Sequence, residues 1–412
     1  MGQGLCSMHV VVIGTGGAGI SAIQTMRELD KKCKITAISK EKFMPYSPCS
    51  LPYLIGGEIK KKNIFRVGKD FYERNKVKPL LGKTVSMIMP EEKSVLVDGR
   101  KVKYDKLLVA AGSQPLRPPI PGIDLDGVFG LGNLGDAERI LKWVKKGARK
   151  AVVLGAGFIG VESAVALRRL GLEVLVVEML ESVLPKMLDE DMSLEVQKIL
   201  EKEGIRFKLG KQVSEIIGNG TVKGVLSGKK RSSCDMVVLG IGVRPNTEFL
   251  KGSGIKTNYG ILVDDHLRTS VKDIYAAGDI VEAEDKIRGS KMVNAIWPNA
   301  VEQGKIAGHN IVGVDREYEG LQSINILDVY GVPVLSMGMA SFELKSPEVE
   351  KVKTNRSVKK MVMKDGKIAG VQMIGAITNS GHLLSLVKRG IDVEEIRHHL
   401  LDERYVEPAL RS

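Results

Sequence analysis

Cys49 stands in the run Pro45-Tyr46-Ser47-Pro48-Cys49-Ser50-Leu51-Pro52-Tyr53. An ionised thiol is both a nucleophile and a redox group, and one lacking a second cysteine at redox-pair spacing acts by forming a mixed disulfide with its substrate. Upstream, Gly14-Thr15-Gly16-Gly17-Ala18-Gly19 has the spacing G-x-G-x-x-G, which returns at Gly155-Ala156-Gly157-Phe158-Ile159-Gly160. Such glycines allow a tight turn and let backbone N–H groups and a helix N-terminus approach a pyrophosphate. A thiol following one dinucleotide fingerprint, with a second fingerprint downstream, points to electrons moving from a nicotinamide through a flavin to sulfur. The bland alternative for any cysteine is a small buried residue. That reading is assigned to Cys6, Cys33 and Cys234, and for Cys49 it stands as the alternative.

A carboxylate at the end of the strand after the glycine turn accepts the ribose hydroxyls of a bound dinucleotide. In the first copy Ser39 occupies that place, and Glu41 is the candidate to substitute. In the second copy Glu178 is the expected acid, which favours NADH over NADPH because a ribose phosphate would meet a like charge. The alternative for Glu178 is a solvated strand end.

The elements that must position these residues follow from periodicity. His9 to Ile13 is a β-branched run, Gly14 to Gly19 breaks it, Ile20 to Leu29 has helical spacing, and Lys34 to Ser39 returns to strand. The same order recurs through Ala151–Leu154, the second glycine turn, Val161–Leu170 and Glu173–Glu178. Pro115-Leu116-Arg117-Pro118-Pro119-Ile120-Pro121-Gly122 is a stiff extended connector between them. The expected fold class is α/β: two Rossmann-like dinucleotide-binding domains, for FAD and NAD, followed by a C-terminal α+β interface domain. The expected boundaries are 1–117 for the first part of the FAD domain, 118–245 for the NAD domain, 246–316 for the second FAD part and 317–412 for the interface domain, with a final helix around His382–Arg389.

Composition excludes other classes. No apolar run approaches the roughly 18 residues that span a bilayer, so no membrane span is expected. Met1-Gly2 followed by Cys6 does not make a myristoylation signal, and a cytoplasmic location follows. The four cysteines and six histidines carry no metal-ligand spacing. A net charge of +13 attracts anions: dinucleotides, coenzyme A or a small acidic electron carrier. With aromatics at only 5%, a base-stacking platform for nucleic acid is not in view. Lys60-Lys61-Lys62 reads either as a solvated face or as a phosphate-neutralising patch.

With these motifs in hand, the chain resembles, over essentially its whole length, the two-dinucleotide-domain flavoproteins known as pyridine nucleotide-disulfide oxidoreductases. Tyr104 to Pro115 looks like the family's strand-to-glycine crossover, with Ala111 where Thr is usual and Gly112 following. Asp235 to Asn246 is similar to the crossover leaving the NAD domain, with Gly242 at its turn. Ile274-Tyr275-Ala276-Ala277-Gly278-Asp279 resembles the segment whose aspartate bonds the flavin ribityl chain, and Trp297 to Lys305, containing Ala300, resembles the helix start that faces the flavin ring. The resemblance implies FAD as bound cofactor, NADH as reductant, Asp279 on the ribityl chain, Glu162 beside the nicotinamide, and a homodimer paired through the C-terminal domain.

Cys49-Ser50-Leu51-Pro52-Tyr53, with no C-x-x-x-x-C, is similar to the single-cysteine branch containing coenzyme A-disulfide and persulfide reductases and NADH oxidases. That branch implies a small disulfide or persulfide substrate, coenzyme A-linked ones among them, reduced at Cys49. Oxygen-reducing members usually carry histidine at the place of Gly17, and the tyrosine-containing C-terminal segment of coenzyme A-disulfide reductases is missing; Tyr330 and Tyr405 are the candidate substitutes. Phe43 to Ser47 and Met361 to Val371 look more like reductases of rubredoxin, ferredoxin or nitrite reductase. An electron-carrier reductase with Cys49 as bystander is therefore the rival expectation, and a flavin-bearing redox sensor the third.

Overall fold

The computed structural model describes residues 8–320 and 323–402; Cys6 and Tyr405 lie outside them. The chain divides into two units, one built from residues 8–54, 59–114 and 243–320, the other from 55–58, 115–242 and 323–402.

In the first unit, His9–Ile13 is buried along almost its whole length, as expected of a strand covered on both faces. It lies in a five-stranded sheet of order Ile274–Ala276, Lys106–Val109, His9–Ile13, Lys34–Ser39 and Val77–Leu81, every pair parallel. Helix Gly17–Leu29 packs against helix Trp297–Ile311, and small residues set how closely. A Cβ added to Gly304 would fall 2.2 Å from the Ala18 carbonyl oxygen, so the far carboxyl-terminal stretch of this unit lies backbone to backbone against its first helix. Three antiparallel strands, Val85–Met89, Ser94–Val97 and Arg100–Lys103, complete this part of the chain.

The second unit repeats the scheme. Its parallel sheet runs Ile205–Lys208, Glu173–Val177, Lys150–Leu154, Met236–Leu239 and Val128–Gly130, with helix Phe158–Arg169 after the second glycine turn. The proline-rich connector forms no helix, and among its residues only Pro115 lies in a strand. The same unit contains a five-stranded antiparallel sheet of order Ile324–Val329, Val332–Gly338, Lys367–Gly375, Ser357–Lys364 and Glu348–Lys353. Helix Ser380–Arg389 follows and stops at Gly390, whose φ of 58° provides the left-handed cap; it begins two residues before the expected His382. Among the described residues no helix is long and apolar enough to cross a membrane.

Ser357–Lys364 is buried up to its last residue, lysines included. The Lys360 ammonium sits 2.8 Å from both Asp189 and Asp191, beside helix Glu190–Lys202. Burial would raise the Asp191 carboxyl, but hydrogen bonds from Lys351 and Lys360 outweigh it and hold the pKa near about 2. Asp189 also accepts the Ser341 N–H and hydroxyl. Removing the cation strands a buried carboxylate, which typically costs about 3 kcal/mol. We therefore expect Lys360→Met to lower stability by about that amount in a urea titration, far more than Lys351→Met at the exposed rim.

Candidate active site

The first glycine turn is shaped by backbone contact. Gly14 adopts φ +101°, and a Cβ there would lie 2.0 Å from the Ala110 carbonyl oxygen; one on Gly19 would lie 2.0 Å from the Gly14 oxygen. Gly16 differs, with nothing within 4 Å of the added carbon. The outer glycines thus close the turn, while the middle one leaves a cradle that a side chain would fill. Helix Gly17–Leu29 has no side-chain cap at Gly16 and no acidic residue in its first turn. Its amide donors therefore point at a place suited to a pyrophosphate. Where Gly17 has no side chain, the Trp297 ring stands 3.2 Å from the added carbon.

Ser39 is buried, and its hydroxyl accepts the Glu41 N–H at 3.2 Å. The Glu41 carboxylate in turn accepts the Tyr46 hydroxyl at 2.6 Å, which connects the candidate ribose acid to the segment just before Cys49. At the carboxyl end of the sheet, Ser113 donates to Asp279 at 3.1 Å. Burial raises the Asp279 pKa above the usual aspartate range, against the opposing pull of Ser113. Gly278, at φ +86°, has its missing side chain 3.1 Å from the Ala18 methyl and 3.7 Å from that of Ala300. Its N–H donates to Gln303 at 2.7 Å, and Gln303 donates to the Tyr318 hydroxyl. Ala111 and Gly112 are held by Asn246, whose side chain and N–H donate to their carbonyls at 2.8 and 3.0 Å. Gly14, Gly16, Gly17, Gly19, Gly278, Asp279, Ala300, Ala111 and Gly112 thus belong to one unit.

Cys49 is exposed, in the short 3-10 turn Pro48–Ser50 that leads into helix Leu51–Ile55. Cys33 and Cys234 are 3% exposed. Burial raises both thiols, Cys234 to about 12, so neither offers a thiolate near neutrality.

The second unit reproduces the cradle. Gly155 has φ +98° and a Cβ position 2.5 Å from the Gly240 oxygen; that of Gly160 is 2.1 Å from the Gly155 oxygen, while Gly157 has only the Gly240 oxygen, at 3.9 Å. Helix Phe158–Arg169 again begins without a side-chain cap or an early acid. Glu178, one residue past its strand, accepts the Ala156 N–H at 2.6 Å and the Leu180 N–H at 2.9 Å. Each oxygen keeps a further lone pair for a ribose hydroxyl. Gly242, at φ +112°, accepts the Leu116 N–H at 3.0 Å through its carbonyl. Glu162 lies on the helix after this turn, and burial pushes its carboxyl up to about 8. Tyr330 stacks under Arg169, 5.2 Å from its ring centroid.

The sequence alone assigns no individual role to Ser113, Asn246, Gln303, Tyr318 or Tyr46, although all but Tyr318 lie inside the motifs quoted above. Gln303 was legible in principle, being an amide on the helix face that also carries Ala300 and Gly304. The other four follow no fixed spacing.

Gly157→Ala should fold normally, since its Cβ meets nothing closer than 3.9 Å, yet raise the NADH KM about tenfold, or about 1.4 kcal/mol; Gly160→Ala should fail to fold stably. Thermal melting with steady-state kinetics checks both. Glu162 makes a pH prediction. Its folded pKa of about 8 lies above the ordinary value of 4.5, so its contribution is fully present below the unfolded pKa and is lost as pH rises toward the folded one. Glu162→Gln should therefore gain on wild type by several degrees of Tm between pH 5 and 8, read by melting across that range.

Comparison with known proteins agrees with this geometry. A family model described as pyridine nucleotide-disulphide oxidoreductase matches residues 8–304. The chain is 37% identical to an NADH oxidase of Methanocaldococcus jannaschii over 89% of this chain and 88% of that protein. It is 32% identical to the NADH-rubredoxin oxidoreductase of Clostridium acetobutylicum, over 94% and 95% of the two chains. Among solved structures, an NAD-dependent persulfide reductase from A. fulgidus superposes with a TM-score of 0.89 at 30% identity, covering 97% of this chain and 80% of that one. The chain belongs to the pyridine nucleotide-disulphide oxidoreductase family, and it is an FAD-dependent oxidoreductase with NADH as reductant.

Proposed function

We propose that this enzyme passes electrons from NADH to a small disulfide or persulfide at Cys49. The observation that carries this reading is the contrast among the described cysteines: one thiol exposed on a helical turn, two buried and held protonated. FAD would be held by the Gly14–Gly19 turn, Glu41, Ala111, Gly112, Gly278, Asp279 and Ala300, and NADH by Gly155, Gly157, Gly160, Glu178 and Gly242. When bound, FAD supplies two-electron transfer between nicotinamide and acceptor. The Cys49 thiolate attacks one sulfur of the acceptor, forming a mixed disulfide and expelling the other sulfur as thiolate or hydrosulfide. Two electrons from one NADH, with a proton, then release the second thiol and restore the Cys49 thiolate. Glu162, uncharged near neutrality, positions the nicotinamide without repelling its phosphates. In this reading the domain map is 1–117, 118–245, 246–316 and 317–412, and the enzyme works in the cytoplasm as a homodimer.

A second reading has one specific support. Residues 8–114 hold 20 Lys and Arg against 10 Asp and Glu, whereas the remaining residues hold 42 against 39. Most of the excess positive charge, +10 of the net +13, therefore lies in the part of the chain that carries Cys49, where it would steer an acidic electron carrier. The relative from Clostridium acetobutylicum acts, by its name, on rubredoxin.

Cys49→Ser separates the two. On the sulfur reading it abolishes NADH-dependent reduction of coenzyme A disulfide or polysulfide, by about a hundredfold or more, and leaves anaerobic flavin bleaching by NADH intact. Undiminished turnover of every acceptor would assign Cys49 a bystander role and the enzyme to carrier reduction.

A further inference from the structure

The chain leaves the first unit after Leu54, gives residues 55–58 to the second, and returns at Ile59. This excursion, Ile55-Gly56-Gly57-Glu58, begins where the Cys49 helix ends: the 3-10 turn Pro48–Ser50 runs directly into Leu51–Ile55. Its neck is closed by the Ile59 N–H, which donates to the Tyr53 carbonyl at 3.3 Å. Ile55 is 1% exposed, and Gly57 takes φ +77°. A Gly-Gly pair is the most costly of dipeptides to order, so a loop containing it holds one shape only if something at its end fixes it.

Glu58 supplies the fixing point. Its carboxylate is paired with the Arg169 guanidinium, which also reaches Asp328 at 3.7 Å and covers the Tyr330 ring at 5.2 Å. Arg169 is more buried than either carboxylate, with side-chain exposures of 22% against 33% and 37%. It is also the last residue of helix Phe158–Arg169. One helix, about 18 Å long, therefore has the second glycine turn at one end and, at the other, the anchor of the segment that follows the thiol.

We infer that Arg169 is a positioning residue for Cys49, acting through Glu58 on the Gly-Gly loop. Partly exposed ion pairs contribute little to global stability, so this arrangement is not needed to keep the protein folded. Thiol attack, by contrast, is sensitive to displacements near 1 Å. A planar fork that serves two carboxylates and one ring is beyond what lysine offers. The inference rests on the proposed role of Cys49 only in its kinetic arm.

The test compares wild type with Arg169→Met, Arg169→Lys, Glu58→Gln, the charge swap Glu58→Arg/Arg169→Glu, and Cys49→Ser. Anaerobic stopped flow follows flavin reduction by NADH, then reoxidation by coenzyme A disulfide or polysulfide; iodoacetamide labelling of the Cys49 peptide is timed by mass spectrometry. Expected for Arg169→Met are flavin reduction within twofold of wild type, reoxidation at least about tenfold slower, and a labelling rate changed severalfold. Arg169→Lys should fall between, and the charge swap, which restores the pair with position 58 but turns a carboxylate toward Asp328, should recover only part of both rates. Labelling and reoxidation at wild-type rates in Arg169→Met and Glu58→Gln would overturn the inference. Should Cys49→Ser reoxidise normally, the sulfur reading fails by itself, and the labelling rate still decides whether Arg169 holds the loop.

Discussion

Two backbone segments touch where each parallel sheet gives way to the helix that follows its glycine turn, and much of the site geometry depends on that contact. With the Gly19 Cβ position only 2.0 Å from the Gly14 oxygen, and that of Gly160 2.1 Å from the Gly155 oxygen, any side chain would pry helix from strand. The approach brings the helix N-terminus over the sheet edge, leaves its first amides without protein acceptors, and keeps the middle glycine open. Binding a pyrophosphate then demands no further specialised side chain, which is why one solution appears twice in a chain whose two sheets otherwise differ in sequence.

Burial supplies the second level of organisation. Asp279 and Glu162 sit where desolvation raises their pKa values, Glu162 to about 8. An acid raised as far as Glu162 carries little charge near neutrality and acts chiefly as a hydrogen-bonding group. The thiols divide along the same line. Burial raises the Cys33 and Cys234 thiols, and among the described cysteines only Cys49 is exposed.

Local pattern made much of this readable in advance. Glycine spacing and β-branched runs are short-range signals and fell where periodicity put them, while Glu178, expected as the last residue of its strand, stands one residue past it. What escaped was long-range. Ser113 meets Asp279 across 166 positions, and Lys360 meets Asp191 across 169; no spacing rule spans such distances. The path of the four-residue excursion 55–58 carries no local signal, because Gly-Gly marks a bend without saying where it goes. Strand Ser357–Lys364 of the antiparallel sheet pairs through Lys360 with Asp189 and Asp191 in the unit that holds the second glycine turn, and nothing local in its sequence marks Lys359 and Lys360 as buried.

Glu178 shows how a local brace constrains chemistry. Its two oxygens already hold the Ala156 and Leu180 amides, so the carboxylate that would accept the NADH ribose also fixes the turn over which the pyrophosphate would lie. Replacing it to admit the extra phosphate of NADPH removes a like charge and, in the same stroke, frees two amides, one of them inside the glycine turn. A change of nucleotide preference therefore needs a second residue to recapture those amides. Under the proposed reading, preference for NADH is a property of the turn as a whole, held in place by the same hydrogen bonds that shape it.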